Sequence, residues 1–186
     1  MHHYLIFGPP GVGKGTQAEL LSEKLGLFHL STGEFLRKAI TEGSELGMKA
    51  KAIVESGSLV PDDIMIEIVR DALKARSDGE GFILDGFPRT VEQAIALDKM
   101  FSELSIKDLR VIYLTAEENE ILRRLLKRGR NDDTEEIIRH RLEVYVETTK
   151  KVIDYYNKKD QVLEINGGGE IEEISKIILE KIQGNY

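Results

Sequence analysis

The chain has 186 residues, 41% hydrophobic and 32% charged, with a formal net charge of −7 and a pI near 5.3. That length and balance suit one soluble domain with a full core, and the acidity argues against nucleic acid as the main partner. There is no cysteine, which excludes a disulfide, a thiolate metal site and a thiol nucleophile.

The first predicted strand, 4–7, runs into Gly8-Pro9-Pro10-Gly11-Val12-Gly13-Lys14-Gly15-Thr16 and then a helix over 16–25, stopped by Gly26. The loop fits G-x-x-x-x-G-K-[ST], with the hydroxyl at Thr16 one position late. Glycines let successive N–H groups face one concavity, and the following helix presents its positive end there. Lys14 adds a charge for β- and γ-phosphates, and Thr16 lies near the water shell of a magnesium ion. A chance glycine turn is the rival reading, but strand before and helix after favour a nucleotide phosphate site.

The second strand, 28–30, is followed by helical patterns at 33–42, 47–56 and 62–76 with no strand among them. This reads as a helical insertion over 31–60, of the kind that closes over a ligand. At its start, Ser31 and Glu34 have the spacing of a capping box, and Thr32 and Arg37 are placed to meet a second ligand. Both readings stay open.

The third strand, 82–84, ends in Asp85-Gly86-Phe87-Pro88-Arg89, before a helix at 90–104. An aspartate at the carboxyl edge of a parallel sheet can bond magnesium-bound water. The Gly86-Phe87-Pro88 elbow aims Arg89, whose planar fork suits phosphate oxygens. The bland alternative is an Asp cap and a surface Arg. Gln93 shares a helical face with Arg89 and could pair with a base edge, or simply be solvated.

The fourth strand, 111–114, leads to a helix at 117–127 and a cluster of Arg123, Arg124, Lys127, Arg128, Arg130, Asp132, Asp133, Arg139 and Arg141 at the start of a helix over 134–156. Some of these charges are ordinary solvated ones. Unpaired arginines nevertheless crowd beside the phosphate loop, and at most one of Arg139 and Arg141 should face it. The fifth strand, 162–165, and a helix at 171–183 close the chain. The alternation predicts a doubly wound α/β fold of P-loop NTPase type: five parallel strands, continuously apolar, with helices on both faces. His29 and His140 read as packing or surface residues, and no H-x-x-x-H metal spacing exists. No segment approaches a membrane span, and Met-His-His-Tyr lacks the features of a leader, so a cytosolic protein without membrane contacts is expected.

GPPGVGKGTQ, LSTGEFLR, DGFPRTVEQ, RLLKRGRNDD and RHRLEVY, in this order, resemble the adenylate kinase family of nucleoside monophosphate kinases over essentially the whole chain. The resemblance implies reversible phosphoryl transfer from MgATP to AMP, giving two ADP, by one domain and a monomer. It implies that Gly11, Val12, Gly13, Lys14, Gly15 and Thr16 hold the ATP phosphates, with backbone near Gly169 receiving adenine. Thr32, Arg37, Ser58, Leu59, Val60, Gly86, Phe87, Pro88, Arg89 and Gln93 would hold AMP. Arg124 and Arg128 would clamp the transferring group from the ATP side, and Arg130 and Arg141 from the AMP side. Asp85 and Thr16 would reach Mg²⁺ through water, and no structural zinc is expected. Only Gly129 separates Arg128 from Arg130, where the family carries a lid, so a vestigial loop over about 127–134 is expected.

Two rivals remain. UMP/CMP kinases resemble S-A-G where this chain has Ser31-Thr32-Gly33, and P-R-N-x-x-N at Pro88 to Gln93; Thr32 and Gln93 favour AMP. A GTPase-like switch is suggested by Asn157-Lys158-Lys159-Asp160, but that motif should follow a buried strand, and Pro88 stands where a switch glycine would be.

Overall fold

The computed structural model describes residues 2–76, 79–130, 133–159 and 161–184. Five strands form one parallel sheet in the order β2-β3-β1-β4-β5: β1 (His3–Phe7), β2 (Phe28–Ser31), β3 (Phe82–Asp85), β4 (Leu109–Thr115) and β5 (Val162–Asn166). The helices are α1 (Lys14–Leu25), α2 (Thr32–Thr41), α3 (Glu45–Ser56), α4 (Asp62–Ala75), α5 (Val91–Glu103), α6 (Glu118–Arg128), α7 (Glu135–Val144), α8 (Lys150–Asn157) and α9 (Ile171–Gln183). None of the described helices is long and apolar enough to cross a membrane.

The central strand explains the layering. All five residues of β1 are buried, because successive side chains point to opposite faces and both faces are covered. Tyr4 and Ile6 join a core with Ala18 and Leu21 of α1 and Ile174 and Ile178 of α9. Leu5 and Phe7 join a second core with Val69 of α4, Leu97 of α5 and Tyr156 of α8. The expectation of continuously apolar, fully buried runs holds for β1 and β3 but not for the edges. In β5 Glu164 and Asn166 are exposed, since an edge strand is covered less completely.

The carboxyl ends of β1, β2 and β3 set the site. β1 pairs with β3 so that Ile6 lies opposite Asp85, and β2 pairs with β3 so that Ser31 does too. The loop after β1 and the turns after β2 and β3 therefore open into the same crevice. Among the described residues between β2 and β3 the regular elements are the helices α2, α3 and α4, with no strand. Leu36, Ala50 and Val60 from this stretch pack into the same core as the sheet. The capping box does not form: Ser31 is the N-cap of α2, yet its side chain accepts no bond from the helix.

The helix expected over 134–156 is interrupted. Residues Tyr145–Thr149 form a π-turn between α7 and α8. One wider turn rotates everything after it, which no apolar periodicity announces.

Gly47 sits where α3 crosses α2. A Cβ at this position would lie 2.0 Å from the Ala39 carbonyl oxygen, so only glycine permits the approach. Gly47→Ala should push the two helices apart at a cost of about 2 kcal/mol, typical of overpacking. Chemical denaturation together with amide exchange across 32–56 reads it; an unchanged midpoint and unchanged protection would contradict the crossing.

Candidate active site

A cleft of about 750 Å³ spans the sheet's carboxyl edge and brings together nearly every predicted site residue. Its lining includes Gly11 to Thr16, Thr32, Arg37, Ser58, Leu59, Val60, Asp85, Gly86, Pro88, Arg89, Gln93, Arg124, Arg128, Arg130, Arg141 and Gly169. Phe87 is the exception. Its side chain is 1% exposed and packed in the core rather than on the cleft wall. A strand-end turn sends alternate side chains opposite ways, and Phe87 takes the inward one.

The phosphate loop ends in Gly13, which caps α1 in the left-handed conformation, φ 104°. Lys14 begins the helix, and its Nζ donates to the carbonyls of Gly8 (2.9 Å) and Pro9 (3.0 Å), folding back over the loop. The amine is enclosed by the cleft walls, and this desolvation lowers its pKa to about 8; Asp85 opposes the shift, while Arg89 and Arg128 reinforce it.

Asp85 is 8% exposed at the floor of the cleft. Its carboxylate accepts from Ser31 Oγ at 3.4 Å, and its backbone carbonyl accepts from Thr32 Oγ1 at 3.3 Å. A Cβ on Gly15 would stand 3.5 Å from Asp85 Oδ2, which places the carboxylate against the phosphate loop. The described residues contain no group of three carboxylates or histidines able to hold a metal by themselves.

Gly86 adopts φ +83°, and a Cβ there would come within 2.7 Å of Thr32 Oγ1 and 3.1 Å of Arg89 Nη2. Only glycine lets the turn pass between them. The peptide bond between Phe87 and Pro88 is cis. Beyond it, Arg89 is held on every side. Its Nε donates to the Gly86 carbonyl (2.8 Å), its N–H to Gln93 Oε1 (2.7 Å), and its carbonyl accepts from Thr149 Oγ1 (3.2 Å). Thr149 reaches it because the π-turn rotates the helix toward α5. The Arg89 guanidinium is open to solvent yet ringed by protein, and this desolvation lowers its pKa from the ordinary guanidinium value, against Asp85.

The arginines are not unpaired, contrary to expectation. Arg128 makes a two-pronged contact with Asp133 (2.8 and 2.6 Å), and Arg141 donates to the same carboxylate at 3.2 Å. The N–H of Arg130 donates to it at 3.3 Å. Burial alone would raise the Asp133 carboxyl, but the bonds and charge of Arg128, the Arg130 N–H and the charge of Arg141 hold it below the usual carboxylate range. Arg124 pairs with Glu120 (2.7 Å) and donates to the carbonyls of Gly167 (2.9 Å) and Val12 (3.4 Å). It thus ties the phosphate loop to the loop after β5. Arg123 also pairs with Glu120, and Arg139 turns outward to Glu135, leaving Arg141 as the one of that pair in the cleft.

Asp133, Asp62, Glu120 and Thr149 were not legible as site residues. Asp133 follows a glycine-arginine segment whose partners are set only by the fold, and Asp62 reads as an ordinary helix-start acid. Asp132 and Asn131, in the expected vestigial lid, lie outside the described residues, as does Asp160 of the rival switch motif; Asn157 of that motif ends α8 rather than following a strand. His140 hydrogen-bonds Ser58 at 3.2 Å and His29 Nε2 is buried without a hydrogen-bond partner; neither histidine lines the cleft.

The sequence model described as adenylate kinase matches residues 6–161. A curated adenylate kinase of Corynebacterium aurimucosum is 47% identical over 177 residues, covering 95% of this chain and 97% of its own. One from a Synechococcus species is 47% identical over 179 residues, covering 96% and 97%. One from Leptospira biflexa is 44% identical over 186 residues, covering 98% and 100%.

The depressed Lys14 pKa gives a signed prediction. In the free protein Lys14 loses its proton as pH rises through about 8, while a bound polyphosphate stabilises the charged amine. Nucleotide binding between pH 8 and 9 should therefore take up protons, and do so less at pH 7. Calorimetry in buffers of different ionisation enthalpy measures this; Lys14→Met should abolish the uptake, and uptake unchanged in that variant would assign it elsewhere.

Proposed function

The chain belongs to the adenylate kinase family and catalyses phosphoryl transfer between nucleotides, and on that premise we propose how its residues divide the reaction ATP + AMP ⇌ 2 ADP. The observation that carries the reading is the convergence of Lys14, Arg89, Arg124, Arg128 and Arg141 on one cleft of an acidic protein. Such a density of cations is costly unless polyanions fill it.

ATP lies along the phosphate loop, with Gly11, Val12, Gly13, Gly15 and Thr16 offering N–H groups and Lys14 its charge. Adenine rests near Gly169, where Arg124 fixes the loop. AMP lies under the 31–60 insertion, which we take as its binding subdomain. Thr32, Arg37, Ser58, Leu59, Val60, Gly86, Pro88 and Gln93 line that half, and Arg89 takes its phosphate. An AMP phosphate oxygen attacks the γ-phosphorus as the bond to the β–γ bridging oxygen breaks, and ADP leaves on each side. The acceptor oxygen is already anionic at neutral pH, so no general base is required, and the cleft lining contains no histidine. Positioning and charge stabilisation supply the rate: Arg128, Arg130 and Arg141 surround the transferring group as its equatorial oxygens gain charge.

Members of the family use ATP with Mg²⁺, and the residues present fit a water-linked ion: Asp85 is buried beside Gly15, and Thr16 opens to the cleft. Held there through water by Asp85 and Thr16, the ion would supply positive charge to offset that of the phosphates. ATP, AMP and ADP are the partners proposed, with the protein acting as a soluble cytoplasmic monomer. Thr32 and Gln93 support AMP over the pyrimidine nucleotides of the UMP/CMP kinases.

A coupled assay across AMP, UMP, CMP and GMP tests the reading. AMP should be preferred, and Lys14→Ala should lower turnover by at least about a hundredfold, roughly 2.7 kcal/mol of transition-state stabilisation. Arg89→Ala should raise the AMP KM strongly and leave that for ATP nearly unchanged. Near-normal turnover in Lys14→Ala, or UMP outcompeting AMP, would overturn the division of roles.

A further inference from the structure

Gln93 is 2% exposed, yet it lines the cleft, and part of its amide is already committed to protein partners. Its Oε1 accepts from the Arg89 N–H at 2.7 Å, and its Nε2 donates to Asp62 Oδ1 at 2.7 Å. The other Asp62 oxygen accepts from Thr90 Oγ1 at 2.8 Å, and Thr90 Oγ1 in turn accepts from the Gln93 N–H at 3.2 Å. Asp62 itself is half-buried at the first position of α4 and does not line the cleft.

We propose that Asp62 is a positioning residue for base selection: it fixes which end of the Gln93 amide faces which neighbour, and thereby what Gln93 presents to the base of the acceptor nucleotide. A carboxamide's two ends are nearly the same shape, so orientation is decided by partners. Asp62 only accepts and the Arg89 N–H only donates. Reversing the amide would set its NH₂ against an N–H and its oxygen against a carboxylate, losing both bonds. A primary amide carries two N–H donors and two acceptor lone pairs, so in the fixed orientation one Nε2–H and one Oε1 lone pair remain for a ligand. That pair complements a ring nitrogen beside an exocyclic amino group, the edge of adenine, and opposes the oxo and N–H edge of uracil or guanine.

The Asp62–Thr90–Gln93 ring also ties the first turn of α4 to the first turn of α5. A purely structural role must therefore be separated from an orienting one. Asp63 provides the control. It too lies in the first turn of α4 and serves the helix dipole, but it is exposed and has no bond to Gln93.

The inference rests on Gln93 meeting the AMP base, and the experiment separates the two. Steady-state kinetics with AMP, CMP, UMP and GMP are measured for the unmodified protein, Asp62→Ala, Asp62→Glu, Asp62→Asn, Asp63→Asn and Gln93→Ala, with thermal midpoints alongside. Asp62→Glu keeps the charge at the helix start but moves the carboxylate by a methylene, so it serves if the alanine variant folds poorly. Asp62→Ala and Asp62→Glu should raise the AMP KM roughly tenfold and narrow the AMP preference over GMP and UMP by a similar factor, as expected for one lost oriented bond. The ATP KM and kcat at saturating AMP should stay within about twofold. Asp62→Asn, which keeps an acceptor, should recover most of the preference, and Asp63→Asn should match the unmodified protein. Gln93→Ala with relaxed preference beside Asp62 variants that keep theirs overturns the positioning role. Gln93→Ala with unchanged preference overturns the assignment of Gln93 and the inference with it.

Discussion

Like-charge repulsion is the constraint around which this cleft is built. Two cations about 4 Å apart near a protein surface repel by roughly 4 kcal/mol, and here Lys14, Arg89, Arg124, Arg128 and Arg141 share one cavity. Three acids make the arrangement tolerable. Asp133, with a fully buried side chain, gathers Arg128, Arg141 and the N–H of Arg130. Glu120 holds Arg124, and Asp85 acts on both Lys14 and Arg89. What remains is a field still short of negative charge, which in the proposed reaction the nucleotide phosphates complete. The overall charge of −7 gives no help from a distance, so capture depends on these local groups.

The same economy governs the backbone. Parallel pairing of β1, β2 and β3 fixes Asp85, Ser31 and the phosphate loop relative to one another before any side chain acts. The turn after β3 is then pinned at both polar groups of the Arg89 peptide, one by Gln93 and one by Thr149. Arg124 links the phosphate loop to the loop after β5 through the carbonyls of Val12 and Gly167. Lys14, Arg89, Arg124, Arg128 and Arg141 are thus held by contacts that do not depend on a bound nucleotide, and preorganised charge of this kind is what phosphoryl transfer needs.

Elements set by local chemistry were legible in the sequence. The β-rich runs became the strands, the glycine loop met its strand and helix, and the spacing of three helical patterns between 31 and 76 appeared as α2, α3 and α4. What stayed hidden depends on distant partners. Asp133 looks like one of several acids until α6 and α7 bring Arg128 and Arg141 to it, and Asp62 looks like a helix-start residue until α5 arrives. The π-turn leaves the apolar pattern of its helix almost unchanged while redirecting Thr149. That the Phe87 side chain packs into the core was not legible either, because a motif gives the order of residues, not which of them the core takes.

Removing the Asp133 charge isosterically tests the account most directly. Asp133→Asn keeps the shape of the side chain and one acceptor but withdraws the countercharge from Arg128 and Arg141. Measured in a folded variant, kcat for ADP formation should fall by about a hundredfold, the scale of losing one preorganised donor, while ATP and AMP affinities change far less. Turnover at the unmodified level in Asp133→Asn would contradict the claim that this buried carboxylate organises the cleft.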